Sequence, residues 1–158
     1  MIAAFGAAAR EGGVRRTCVY HKVVRFCATH GRLPMAKKPA FISFDFDNDK
    51  VLKEFIIGQS KHDDSPFEVI DQSLKEAAPE KDWVEKARRA IKRSEIVIVM
   101  VGEKTHKASG VLKEVAIARE EEKKIVQIIG YKDGDYTAVP NAGRLYSWNW
   151  ENLKKLLA

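Results

Sequence analysis

The sequence predicts an α/β fold in three layers, with a mostly parallel sheet of about five strands between two sets of helices. Three observations carry this expectation. From Ala40 onward, short β-rich runs alternate with helical patterns, the order produced when crossover helices join parallel strands. Glu95-Ile-Val-Ile-Val-Met-Val101 is an almost unbroken apolar run rich in β-branched residues, as in a central strand buried on both faces. The chain has 158 residues, of which 45% are hydrophobic, enough for one core and too few for two comfortable ones.

The elements follow in order. Ala40-Phe-Ile-Ser-Phe-Asp-Phe46 reads as the first strand. Asn48 to Gly58 places Val51, Leu52, Phe55 and Ile56 at helical spacing, with Gly58 as the expected stop. Lys61 to Pro66 is a polar loop, and Phe67 to Ile70 is a short second strand ending at Asp71. Ser73 to Pro79 reads as a loop with a helical turn. Glu80 to Arg93 is a helix, because Trp83, Ala87, Ala90 and Ile91 recur on one face while Lys and Arg fill the other. The third strand ends at Gly102. Ser109 is a candidate N-cap for a helix from about Gly110 to Lys123 or Lys124. Ile125 to Ile129 makes the fourth strand, Gly130 to Asn141 a turn-rich loop, Leu145 to Trp148 a fifth strand, and Asn149 to Leu157 the last helix.

The formal charge is +6, which on its own would suggest a nucleic-acid partner. Its distribution argues otherwise. Residues 1–34 hold six basic side chains and one acid, leaving 22 against 21 in the rest of the chain. Both cysteines, Cys18 and Cys27, also fall in this segment, with neither zinc spacing nor a disulfide framework. The expected organisation is a basic extension over residues 1–36 and a folded domain over 37–158. Three readings of the extension stay open: an over-long gene start preceding Met35, an Arg-rich targeting peptide, or a genuine basic arm. No apolar run approaches the roughly 18 residues needed to span a bilayer. The sequence therefore points to a chain that is not membrane-embedded, with cytoplasmic location as the expectation.

In an open parallel sheet, ligands bind outside the carboxyl ends of the strands. That rule nominates Phe44 to Asp47, Asp71, Gly102 to Thr105, and Gly130 to Asp133. Several chemistries fail at these positions. Neither GxGxxG nor GxxxxGK[ST] occurs, so the usual dinucleotide and phosphate loops are absent. The third strand ends in Met100-Val-Gly102 and offers no phosphoacceptor aspartate. Asp45, Asp47 and Asp49 would repel a flavin phosphate after the first strand, and His62 and His106 have no nucleophile elbow beside them.

The motifs that remain are Phe41-Ile-Ser-Phe-Asp-Phe46, Asp82-Trp83 at the opening of a helix, Glu95 to Gly102, Thr105 followed nine residues later by Glu114, and Leu145-Tyr-Ser-Trp148. In this order the chain resembles the bacterial and archaeal TIR-like family, related to Toll/interleukin receptor domains and including the sensor proteins of Thoeris antiphage defence. The resemblance covers residues 39–158. It implies a flavodoxin-like fold and cleavage of the nicotinamide–ribose bond of NAD, which is then a substrate and not a cofactor. No metal is implied. Glu114 occupies the position of the family's catalytic glutamate, early in the helix after the third strand. The implied partners are NAD, further copies or other TIR domains, and an effector with a nucleotide-sensing domain. Catalysis in such domains commonly depends on assembly. The alternative implied by the same fold is a non-enzymatic TIR-like interaction module.

Glu114 is also plausible on helix geometry, since it projects between Ile117 on one side and Val111 and Ala118 on the other, bordering the apolar arc. Glu120, Glu121 and Glu122 read as solvent-facing. The substrate-binding candidates each carry a second reading. Phe44 stacks on a base or joins the core, and Asp45 binds ribose or caps the next helix. Trp83 follows the family pattern or packs with Ala87. Gly102 and Thr105 admit a ligand or shape their loop, and His106 is a ligand contact or an exposed loop residue.

Overall fold

The computed structural model describes residues 36–70 and 80–157. The basic extension with Cys18 and Cys27, the expected turn at Ser73 to Pro79, and Asp71 lie outside the described residues. Among those described, the strands are β1 (Lys38–Phe44), β2 (Phe67–Val69), β3 (Ile96–Val101), β4 (Lys124–Ile129) and β5 (Leu145–Ser147). The helices are α1 (Lys50–Ser60), α2 (Glu80–Arg93), α3 (Ser109–Glu120) and α4 (Trp150–Leu157), and a 3-10 turn covers Thr105–Lys107. All the pairings are parallel, in the order β2-β1-β3-β4-β5. This is the flavodoxin-like α/β arrangement.

The period of two in β3 divides the core between the two faces. Val97, Val99 and Val101 pack with Ala87, Ala90 and Ile91 of α2 and Val111, Val115 and Ala118 of α3. Ile96, Ile98 and Met100 pack on the other face with Leu52 and Ile56 of α1 and Leu153 and Leu157 of α4. A strand flanked by helices on both sides needs apolar side chains at every position, and β3 is buried throughout. Because the chain passes from β1 outward to β2 and then back across to β3, the strand order reverses between β1 and β3. The crevice at their carboxyl ends is the topological switch point.

Several boundaries differ from the sequence expectation, each for a local reason. β1 runs over 38–44 and not 40–46, because Asp45 begins a turn in which the Asp49 N–H donates to its carbonyl (2.8 Å). Helix α1 continues past Gly58 to Ser60, whose carbonyl accepts from Lys37 Nζ (2.9 Å); the same ammonium group donates to the His62 carbonyl (2.7 Å). Ser109 is the first residue of α3 and does not cap it; Ala108 occupies that position with no side-chain bond. The same helix ends at Glu120. Glu122 adopts φ 52°, and the N–H groups of Glu122 and Lys123 donate back to the carbonyls of Arg119 and Ala118. This is a Schellman ending with glutamate where glycine is usual. Gln127, wholly buried in β4, fastens the loop after that strand: its Nε2 donates to the Val139 and Gly143 carbonyls and its Oε1 accepts from the Val139 N–H.

Candidate functional site

The turn after β1 is built by Asp45. Its carboxylate accepts from the Asp47 N–H (3.1 Å) and from Asn48 Nδ2 (2.7 Å), the ordinary use of an Asx side chain where a strand ends. That turn delivers Asp49 to the N-cap of α1, but the Asp49 carboxylate makes no cap bond there. It is turned instead across the switch point. Thr105 Oγ1 donates to Asp49 Oδ2 (2.8 Å), the Gly102 N–H donates to Thr105 Oγ1 (2.7 Å), and the Tyr131 hydroxyl donates to Asp49 Oδ1 (3.3 Å). Loops following β1, β3 and β4 thus meet at one carboxylate. Burial, the largest influence, pushes the Asp49 carboxyl up, with Asp45 and Glu103 adding to it and the Thr105 and Tyr131 hydroxyls opposing.

Gly102 is required by this arrangement. A Cβ at that position would lie 2.3 Å from Asp49 Oδ1 and 2.4 Å from Oδ2. The close approach that its lack of a side chain permits is made by the protein's own carboxylate. Thr105 is completely buried in the same network. An open cleft of about 570 Å³ is lined by Asp49, Tyr131, Tyr136, Lys104 and Lys132, together with Glu103 and Asp133. A second cleft of about 480 Å³ runs from Tyr131 toward Gln59 and Trp148.

Glu114 sits on the other side of the sheet edge. In α3 it shares a face with Val111, Val115 and Ala118 and is 7% exposed. Ser43 of β1, a polar residue on the strand face that Phe41 also presents to α2 and α3, donates its hydroxyl to Glu114 Oε2 at 2.5 Å. Burial pushes the Glu114 carboxyl up to about 8, against the opposing pull of the Ser43 bond. Trp83 is half-buried, and its ring lies within van der Waals reach of where a Cβ at Gly110, at the start of α3, would stand. Phe44 points to the opposite face, beside the α1 and α4 core, with Lys53 Nζ 5.8 Å from its ring centre. Phe44 and Glu114 therefore do not share a sheet face. His106 Nδ1 is buried without a hydrogen-bond partner.

The structure thus brings Gly102 and Thr105 together around Asp49, and gives Glu114 to Ser43. Neither Ser43 nor Asp49 stands out as a site residue in the sequence. A serine interrupting an apolar strand was the available signal for the first. For the second it was an N-cap aspartate directly after the strand at the switch point. Among the described residues, no group of three or more His, Cys, Asp or Glu side chains is arranged to hold a metal ion.

A family model described as the TIR-like domain of the Thoeris protein ThsB matches residues 41–133. The chain belongs to this family. The match runs from β1 through the loop after β4, so Ser43, Asp49, Gly102, Thr105, Glu114 and Tyr131 all lie inside the TIR-like segment. None of the curated proteins matches the chain. No helix among the described residues is long and apolar enough to cross a membrane.

Proposed function

We propose that this Thoeris TIR-like protein cleaves the nicotinamide–ribose bond of NAD in antiphage defence, with Glu114 as its catalytic carboxylate. The observation that carries the proposal is a buried carboxyl in the second turn of the helix after β3, held by Ser43 from β1. The chemistry suits a single acid. Nicotinamide leaves with the electron pair of the C1′–N bond and departs neutral from a pyridinium that already carried positive charge, so no proton donor is needed. A carboxylate opposing the oxocarbenium-like charge at C1′ supplies the stabilisation. Water adding at C1′ gives ADP-ribose and a proton, while an internal adenine or ribose nucleophile gives a cyclic product.

The carboxylate is the working form, and burial favours the acid, so ionisation governs the rate. In the free protein kcat/KM is expected to rise with pH through about 8. The substrate's positive ring favours the carboxylate, so the profile of kcat turns at lower pH. Ser43→Ala removes the bond that holds the Glu114 carboxyl down, and the turn in kcat/KM is expected to move to higher pH. Nicotinamide release from NAD, followed from pH 6 to 10 at high protein concentration with a crowding agent, measures all three. A flat profile, or one that Ser43→Ala leaves unmoved, contradicts this role for Glu114.

Glu114 lines neither of the two clefts, so contact with a sugar requires local opening, and assembly is the step that would supply it. A second reading, a TIR-like interaction module without chemistry, draws on α1, where Val51 and Phe55 stand one turn apart at 51% and 58% exposure. No nicotinamide release under any condition, phage-infected lysate included, would favour that reading.

A further inference from the structure

We infer that Asp49 is a positioning residue for Glu114: by holding Thr105 across the sheet edge, it fixes the start of α3 and with it the place of the Glu114 carboxyl against β1. Glu114 enters here as the catalytic carboxylate, and the role of Asp49 rests on that reading. Helix α3 does not fix its own beginning. Its N-cap, Ala108, makes no side-chain bond, and its first turn carries no acid. Val111, Val115 and Ala118 pack the helix onto the sheet, but apolar contact is non-directional and sets a helix's register less sharply than a hydrogen bond does. The directional bonds lie in the 3-10 turn before it. The Ala108 N–H donates to the Thr105 carbonyl (3.1 Å), and the Leu112 N–H donates to the Ala108 carbonyl (3.0 Å), two residues before Glu114.

Thr105 is wholly buried and its hydroxyl is used twice, accepting from the Gly102 N–H and donating its one proton to Asp49 Oδ2. Asp49 is itself anchored at the head of α1, where its N–H donates to the Asp45 carbonyl and its carbonyl accepts from the Leu52 N–H (3.1 Å). Since α1 packs on one face of the sheet and α3 on the other, this side-chain bond ties the two helix layers together at the switch point. Without the carboxylate, the Thr105 O–H is a buried donor with no acceptor, a state costly enough for the turn to open toward water. The bond from Ser43 to Glu114 tolerates little of that movement: it spans 2.5 Å, and a displacement of about 1 Å takes the pair to the limit of hydrogen bonding. Gly102 and Thr105 then serve catalysis through the turn that precedes α3, and not by touching the sugar.

The test compares Asp49→Ala with Asp49→Asn in the full-length protein. Asparagine keeps an oxygen that accepts from Thr105, and alanine does not. Amide hydrogen exchange reads the turn without NAD: faster exchange at Ala108 and Leu112 is expected in Asp49→Ala, with the β3 amides unchanged and protection restored in Asp49→Asn. Nicotinamide release reads Glu114. In Asp49→Ala kcat is expected to fall about tenfold to a hundredfold with KM little changed, the cost of misplacing a reacting group by about 1 Å, and Asp49→Asn is expected to recover it. The pH profile separates positioning from loss of folded protein. Burial is the larger of the two influences on Glu114, so water admitted beside α3 moves the turn in kcat/KM to lower pH, opposite to Ser43→Ala, whereas loss of folded protein lowers the rate without moving the turn. If Asp49→Ala does not fold, Thr105→Val and Thr105→Ser make the same comparison from the other end of the bond. Unchanged exchange at Ala108 and Leu112 overturns the clasp whether or not NAD is cleaved. Faster exchange with kcat retained, an unmoved turn, or a rise in KM alone, which would make these residues substrate contacts, overturns the positioning role. No release by the unmodified protein contradicts the reading of Glu114 and removes the group that Asp49 would position, while the exchange result still tells whether the clasp holds α3.

Discussion

Glu114→Gln is expected to make the fold more stable at pH 9 than the unmodified protein, by a few kcal/mol, at about 1.4 kcal/mol for each pH unit separating folded and unfolded carboxyls. The sign follows from linkage. In the unfolded chain the carboxyl titrates near 4.5, and in the folded protein burial holds it at about 8. Between these values the folded state keeps a proton that the unfolded state has released, so stability falls as pH rises through the window and stays lowered above it. Glutamine has no proton to lose, and its amide oxygen still accepts from Ser43. Denaturant unfolding of both proteins at pH 5 and pH 9 reads the effect as a difference of differences, which removes every other titrating group. Parallel pH dependences would mean that Glu114 is solvated as an ordinary surface carboxylate. The burial that makes this residue costly to the fold is also what makes an exposed positive charge at a sugar carbon favourable to meet it.

Gly102→Ala is expected to destabilise the domain by about 1–3 kcal/mol, the usual range for forcing an added methyl into a filled space. The added carbon would fall 2.3 Å from Asp49 Oδ1, and that side chain is buried and bonded to Thr105, whose hydroxyl also receives the Gly102 N–H. Relief requires the carboxylate to leave the switch point, so the substitution strikes the network from inside. Gly58→Ala is the control of opposite sign. Gly58 lies within α1 and a Cβ there meets nothing within 4 Å, so alanine gains helix propensity of up to about 1 kcal/mol. Thermal unfolding of the two variants separates steric occupation from the generic cost of replacing glycine. If both shift in the same direction, the close approach at Gly102 is not what holds that loop.

The sheet was legible because its signals are redundant. β3 carries the same message at every position, and the face of α2 repeats through Ala87, Ala90 and Ile91, so the error of any one residue does not alter the reading. Helix ends lack that redundancy. The stop at Gly58 was replaced by one at Ser60, whose carbonyl is covered by Lys37, distant in sequence, and α3 turns on a glutamate at positive φ that no composition rule marks. The positions of the candidate residues, though not their roles, were legible to a similar degree. Glu114 borders an apolar arc that sequence spacing reveals, and Gly102 and Thr105 follow from the edge rule. What spacing could not supply was which side chains meet: Ser43 with Glu114 across 71 residues, and Thr105 with Asp49 across 56. Those pairings depend on strand order, and strand order is a property of the folded sheet.

The most direct test of the account is nicotinamide release by the full-length protein and by Glu114→Gln, side by side, at high concentration with NAD and a crowding agent. Release by the unmodified protein is expected, with a fall of about two to four orders of magnitude in the variant, the range typical when a group acting on the transition state is removed. Release by folded Glu114→Gln at the unmodified rate would contradict it.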